Sequence, residues 1–210
     1  MTNFEFFIKV FFAYLVVVAP FNMMLIFSAL TRNMRAEKQL SIAMKSNLIA
    51  FSILAVFVLL GADILRGAGI SISALKISGG LLLLVVSHKM IFDSDHGNSD
   101  YGEEEKKEAQ KSEDVSVFPL ATPLLAGAGA ISLSILFSAE AGADIVKNTL
   151  VIFSLGTVMF VSFLSFVMAT KVQKLFGATL VNIITRVMGI LLAALGIQFI
   201  LDGLKNSGLF

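Results

Sequence analysis

Apolar residues run along this chain in long uninterrupted stretches. They follow neither the alternation of a half-buried strand nor the narrow stripe of a surface helix. About 20 mostly apolar residues are needed to cross the hydrocarbon core of a bilayer, and six stretches of that kind follow one another. They are about Phe6 to Leu30, Ser46 to Leu65, Ile70 to Phe92, Ser116 to Ser138, Asn148 to Thr170 and Leu180 to Leu201. The first is too long for a cleaved signal sequence and reads as a retained span, interrupted by Pro20 and Asn22. Polar links separate the stretches: a basic one from Thr31 to Lys45, a loop from Glu140 to Lys147 and a turn from Lys171 to Thr179.

Residues 93–115 break the pattern. They are acidic, polar and almost free of apolar side chains, so they bury too little surface to offset the entropy of ordering. The expected organisation is a three-span unit at residues 1–92, a flexible acidic cytoplasmic linker at 93–115 containing His96, and a second three-span unit at 116–210.

Composition agrees with a membrane protein: 57% of the 210 residues are hydrophobic and 15% charged. A net charge of +1 offers no basic surface for nucleic acid. The absence of cysteine removes disulfides, thiolate metal sites and thiol catalysis, and two histidines are too few for a histidine zinc site. No hydrolase, phosphate-loop or zinc-protease motif occurs, so neither an enzyme nor a metal or cofactor is expected. Links one–two, three–four and five–six, with the adjoining span ends, hold eleven of the 16 cations. The excess of cations on the cytoplasmic side therefore puts both termini outside.

The fourth stretch reads VFPLATPLLAGAGAISLSI and carries Pro119, Pro123, Gly127 and Gly129. Proline removes a backbone donor and glycine loosens the helix. An unpaired backbone group in hydrocarbon costs several kcal/mol, so such a break is tolerated only where protein or a polar cavity covers it. A broken or re-entrant segment lining a binding site is expected, with a neighbour-supported kink as the alternative. The two halves also resemble each other. Lys76-Ile-Ser-Gly79 is answered by Arg186-Val-Met-Gly189, Pro20 by Pro123, and Leu48-x-x-Phe51-Ser52 by Leu150-x-x-Phe153-Ser154. With three spans per half the second copy enters from the opposite face. The expected fold is thus an all-α membrane protein of six transmembrane helices in two inverted three-helix repeats, the first helix of each broken or kinked. Secondary transporters are built in this way, with their sites at discontinuous helices near the midplane.

For a zwitterionic solute, the amides freed between Gly127 and Ser132 suit a carboxylate. Carbonyls freed near Pro20 and Pro123, with the Asn22 side chain, suit an ammonium group. Thr122 and Ser132 either add hydroxyl contacts or bond back to their own helix. Gly79, Gly80 and Gly189 read as close-packing positions between helices. His88, Gln198 and Asp202 are the ionisable or polar candidates for an ion site or gate, His88 alternatively as an interfacial anchor.

Several segments resemble the MarC family of bacterial inner-membrane proteins. PLATPLLAGAGAIS is similar to that family's PLAxPLLAGPGAI signature, with Ala128 in place of its usual proline. TRVMGILLAALGIQFILDGLK and ISISALKISGGLLLL resemble its closing and third helices. The first span departs from the family's Asn/Asp-Pro-x-Gly-Asn-x-Pro-Leu-Phe, reading Ala19-Pro20-Phe21-Asn22-Met23-Met24-Leu25-Ile26-Phe27. The resemblance implies a multi-pass protein of the bacterial inner membrane that transports small neutral amino acids such as glycine and alanine. Its expected partners are the bilayer, a small neutral solute, a coupling cation (sodium or proton) and further copies of the chain. The alternatives are an exporter of other small solutes or drugs, or a membrane protein without transport.

Overall fold

The structure, a computed structural model, describes residues 2–92 and 114–207, with residues 62 and 170–182 described by their backbone alone. The acidic stretch expected as a linker, including His96, lies outside the described residues apart from Asp114 and Val115. The described chain is helical: α1 (Asn3–Val18), α2 (Pro20–Thr31), α3 (Ala36–Gly67), α4 (Ile72–Phe92), an irregular α5 (Ser116–Leu125), α6 (Ala128–Ala141), α7 (Ile145–Val167) and α8 (Ala169–Lys205). Five helical spans are long and apolar enough to cross a bilayer, and a sixth is reached if α5 and α6, bent by 58°, count as one. Together α1 and α2 make one such span of 29 residues, Asn3–Thr31.

Two boundaries differ from expectation. The basic link after the first span shrinks, because α3 already begins at Ala36. Glu37 in its first turn suits the positive end of the helix dipole. Residues 171–179, expected as a turn, belong to α8. They contain no proline, and a single glycine does not stop a helix that is otherwise favoured. Hydropathy marks where a chain enters lipid, whereas the helix itself continues into the polar flank.

Pairing between the helices is largely antiparallel. Tyr14 of α1 bonds Ser134 of α6, Val17 lies beside Gly129, and Lys9 pairs with Glu140. Along α4 and α8, Ser73 meets Gly203, Gly80 meets Gly196, and Met90 meets Gly189. Both sets run in opposite directions. By contrast α1 and α2 follow α7 in parallel: Phe7 contacts Phe153, and Phe27 stacks on Phe166 at 4.5 Å.

The α4–α8 contact depends on missing side chains. A Cβ at Gly80 would stand 2.5 Å from the Gly196 carbonyl oxygen, and one at Gly196 would stand 2.9 Å from the Gly80 carbonyl oxygen. Gly189, Gly196 and Gly203 recur every two turns along this face of α8. Gly79, about 100° further round α4, faces α6 instead, where its Cβ would meet Ser132 Cβ at 3.3 Å. Small residues let backbones approach and multiply van der Waals contact, which drives helix association where lipid is as apolar as the protein.

Polarity is distributed as a bilayer demands. Leu48, Leu59, Phe153 and Ile190 are exposed, whereas Ser46, Ser134, Ser154 and Ser162 are buried. An apolar exterior faces hydrocarbon at no cost, and several hydroxyls lie inside, Ser134 with hydrogen-bond partners and Ser154 and Ser162 without.

Candidate functional site

The first interruption falls at Ala19, whose φ of 47° and ψ of 60° are left-handed. A β-carbon makes that conformation unfavourable by about 1–2 kcal/mol. The Ala19 amide still bonds the Leu15 carbonyl, and α2 restarts with Pro20 as its first residue. Proline has no N–H for the Val16 carbonyl, and the Asn22 amide bonds the Ala19 carbonyl instead of that of Val18. The carbonyls of Val16, Val17 and Val18, at the end of α1, thereby lose their helical donors.

The second interruption is longer. Phe118 and Thr122, each followed by a proline, are extended, with φ and ψ of −132° and 124° and of −132° and 129°. Both X–Pro peptide bonds are cis. The segment winds wide, the Leu120 amide reaching the Val115 carbonyl and the Ala126 amide the Ala121 carbonyl, each five residues back. Gly127 then caps α6 with extended backbone and without a side-chain bond. A Cβ there would sit 2.6 Å from the Pro123 carbonyl oxygen, so the turn needs glycine. Before α5, the Asp114 carboxyl is held near pKa 2 by the Lys45 ammonium and by hydrogen bonds from Ser116.

The two interruptions lie side by side. A Cβ on Gly129, in the first turn of α6, would meet Val17 at 3.3 Å and Leu83 of α4 at 3.1 Å. The amide end of α6, without a side-chain cap, therefore lies against the carbonyl end of α1, and Gly129 and Ala130 are buried there. Farther along the pair, Tyr14 and Ser134 are both fully buried, with their oxygens 2.9 Å apart, and Ser134 donates to the Ala130 carbonyl. Tyr14→Phe leaves Ser134 its backbone acceptor. It should lower stability by about 1 kcal/mol, read as a small drop in melting temperature in detergent.

A small crevice, with a volume of about 10 Å³, opens on the first interruption. Asn22 and Thr185 supply its polar side chains, and Leu15, Met90 and Met188 much of its apolar wall. Pro20, Phe21 and Ala19 complete the α1–α2 side. Of the residues singled out by sequence, this brings together Pro20 and Asn22 only. Thr122 is half-buried and donates to the Val117 carbonyl at 3.3 Å, back into its own segment, while Pro123 is exposed. Ser132 is packed against Gly79 rather than at the break. His88 is exposed and lies against Phe92, and Gln198 donates to Asp202 on the outer face of α8. None of these three lines the crevice. No group of three or more possible metal-ligating side chains occurs among the described residues.

Sequence reasoning passed over Thr185, Ser154 and Ser162, whose buried hydroxyls have no hydrogen-bond partner in the structure. On α7 the exposed Thr149 and the half-buried Thr157 donate to carbonyls four residues back, whereas the inward Ser154 and Ser162 do not. A hydroxyl inside an apolar run was the available signal; the direction it faces was not.

Residues 4–207 match the MarC family integral membrane proteins. A UPF0056 membrane protein of Buchnera aphidicola from Schizaphis graminum is 35% identical, covering 98% of this chain and 95% of its own length. One from the archaeon Methanocaldococcus jannaschii is 32% identical over 97% of this chain and 98% of its own. YhcE of Escherichia coli, also a UPF0056 membrane protein, is 32% identical over 97% and 94%. No solved structure matches the chain. With its multi-pass helical architecture and a match spanning nearly its whole length, the chain belongs to the MarC family of integral membrane proteins.

Proposed function

We propose that this protein is a transporter of small neutral amino acids of the glycine–alanine class, working by alternating access between two inverted three-span halves. One observation carries the reading: the uncapped amide end of α6, exposed at Ala128 and buried at Gly129 and Ala130, lies against the carbonyl end of α1. Backbone of that kind is stable at membrane depth only when buried or when facing a polar cavity. The amide end favours a carboxylate, and the carbonyls of Val16 and Val18 favour an ammonium group, so one zwitterion answers both.

The antiparallel runs of α1 on α6 and of α4 on α8 support inverted halves, because corresponding helices then point opposite ways. The tight α4–α8 seam is the fixed scaffold in this reading. The α1–α2 and α5–α6 segments are the parts that rearrange. The protein sits in the inner membrane with both termini on the non-cytoplasmic side, and no catalytic step is involved.

The test is counterflow in proteoliposomes with radiolabelled glycine, alanine and serine, and with larger solutes as comparison. Accumulation of the small neutral amino acids is the expected result. Accumulation of none of them by correctly folded protein excludes the reading. Imposed sodium and proton gradients in the same vesicles identify the coupling cation.

A further inference from the structure

The broken segment α5–α6 is tied to the first half of the chain near both of its ends. Asp114, just before α5, pairs with Lys45 of α3, and Glu140, in the last turn of α6, pairs with Lys9 of α1. Between these ties Gly61 of α3 meets Ile135 of α6. Lys45 and Gly61 lie about 24 Å apart along one continuous helix. The segment therefore crosses most of the hydrocarbon thickness, and the two ion pairs stand on opposite faces of the protein.

Lys9 lies inside the apolar span Asn3–Thr31, where a charge is costly. A lysine near a span end ordinarily extends its ammonium to the interface. This one is held by both Glu140 oxygens, at 2.7 and 2.8 Å. The ammonium also stands 5.8 Å from the centre of the Phe137 ring, within reach of cation–π attraction. Phe137 is fully buried, with Phe6, Tyr14 and Phe199 around it. From the ion pair to the junction of the interruptions at Val17 and Gly129, the α1–α6 seam is packed shut. Val10, Tyr14, Leu133 and Phe137 expose nothing there, whereas Pro123 and Ala128, beyond the junction, are exposed.

From these features we infer that the Lys9–Glu140 pair is the latch of a gate on the N-terminal face, with Phe137 as its plug. The structure is the form closed on that face. Opening draws α6 away from α1 and exchanges the pair for water, while Lys45 and Asp114 hold the other end of the segment to α3. Both side chains of the latch are about a third exposed, so water can take over their charges as they part. The movement that the latch opposes rests on the transport reading above; the closure does not depend on which solute is carried.

Ser134→Cys places a thiol behind the latch, at the level of Tyr14, in a chain without other cysteines. Its reaction with a membrane-impermeant methanethiosulfonate, applied to the N-terminal face of vesicles of known orientation, should be slow. Adding Lys9→Met or Glu140→Gln should speed it roughly fivefold, about the value of one partly exposed ion pair. Reaction from the opposite face should not change. The exchanged pair, Lys9→Glu with Glu140→Lys, should bring the rate back to within about twofold of its start. Unchanged labelling in both single-charge variants would overturn the latch. So would faster labelling from both faces alike, or labelling that the exchanged pair fails to slow, since the charges would then only hold the fold together. Wild-type protein that exchanges no small amino acid, with labelling still governed by the pair, would instead remove the transport reading and leave the latch standing.

Discussion

Gly80→Leu should leave little folded protein. Its first added carbon falls 2.5 Å from the Gly196 carbonyl oxygen and 2.7 Å from the Ile200 side chain. The side chain can move, but the carbonyl belongs to a helix held by its own hydrogen bonds, and α8 must retreat along its length. Overpacking a core costs about 1–3 kcal/mol when side chains can adjust. With backbone against backbone, a loss of at least about 3 kcal/mol is expected. Melting in detergent, together with the monodispersity of the solubilised protein, measures it. Gly67→Ala is the control: nothing lies within 4 Å of that Cβ, so the substitution should be neutral. Equal melting temperatures for both variants would mean that α4 and α8 are not in close contact.

Gly129→Leu has a different character. The neighbours of its Cβ are the tips of Leu83 and Val17, at 3.1 and 3.3 Å. Such tips yield, so Gly129→Ala should be nearly silent and the leucine variant should still insert and fold. The extra carbons, however, fill the junction of the two interruptions, where the transport reading places the moving parts. An overpacking penalty of about 1–3 kcal/mol, felt when the junction rearranges, slows exchange by about 5- to 150-fold. Counterflow in proteoliposomes containing the variant, compared with its melting temperature, separates slowed movement from lost folding. A variant that exchanges glycine at the wild-type rate would show that the junction is a static kink.

Much of this architecture is legible in the sequence because lipid imposes a simple length rule. The helices accordingly lie within or close to the predicted stretches. The interruptions are legible for the same reason, since Pro20, Pro119 and Pro123 cannot donate and Gly127 accommodates a carbonyl that a β-carbon would block. The polar flanks are less legible: α3 starts nine residues before Lys45, and α8 takes in residues 171–179, because helix formation there is decided by propensity and packing rather than by hydropathy. Least legible are the inward hydroxyls. Thr185 and Thr157 are alike as letters, and only the rotation of each helix against its neighbours decides which donates to its own backbone and which is left bare. The same limit explains why Thr122 and Ser132 lie outside the crevice while Thr185 lines it.

The chain contains no cysteine, so a single one can be introduced without a background. Asn22→Cys places a thiol at the crevice beside the first interruption, about two thirds of the way along Asn3–Thr31. Its reaction with a membrane-impermeant maleimide, in vesicles of known orientation with and without alanine, asks directly whether water and solute reach this depth. Labelling that alanine slows is the result predicted here; a thiol that remains unlabelled from both faces, with alanine or without, would contradict a solute path through the broken spans.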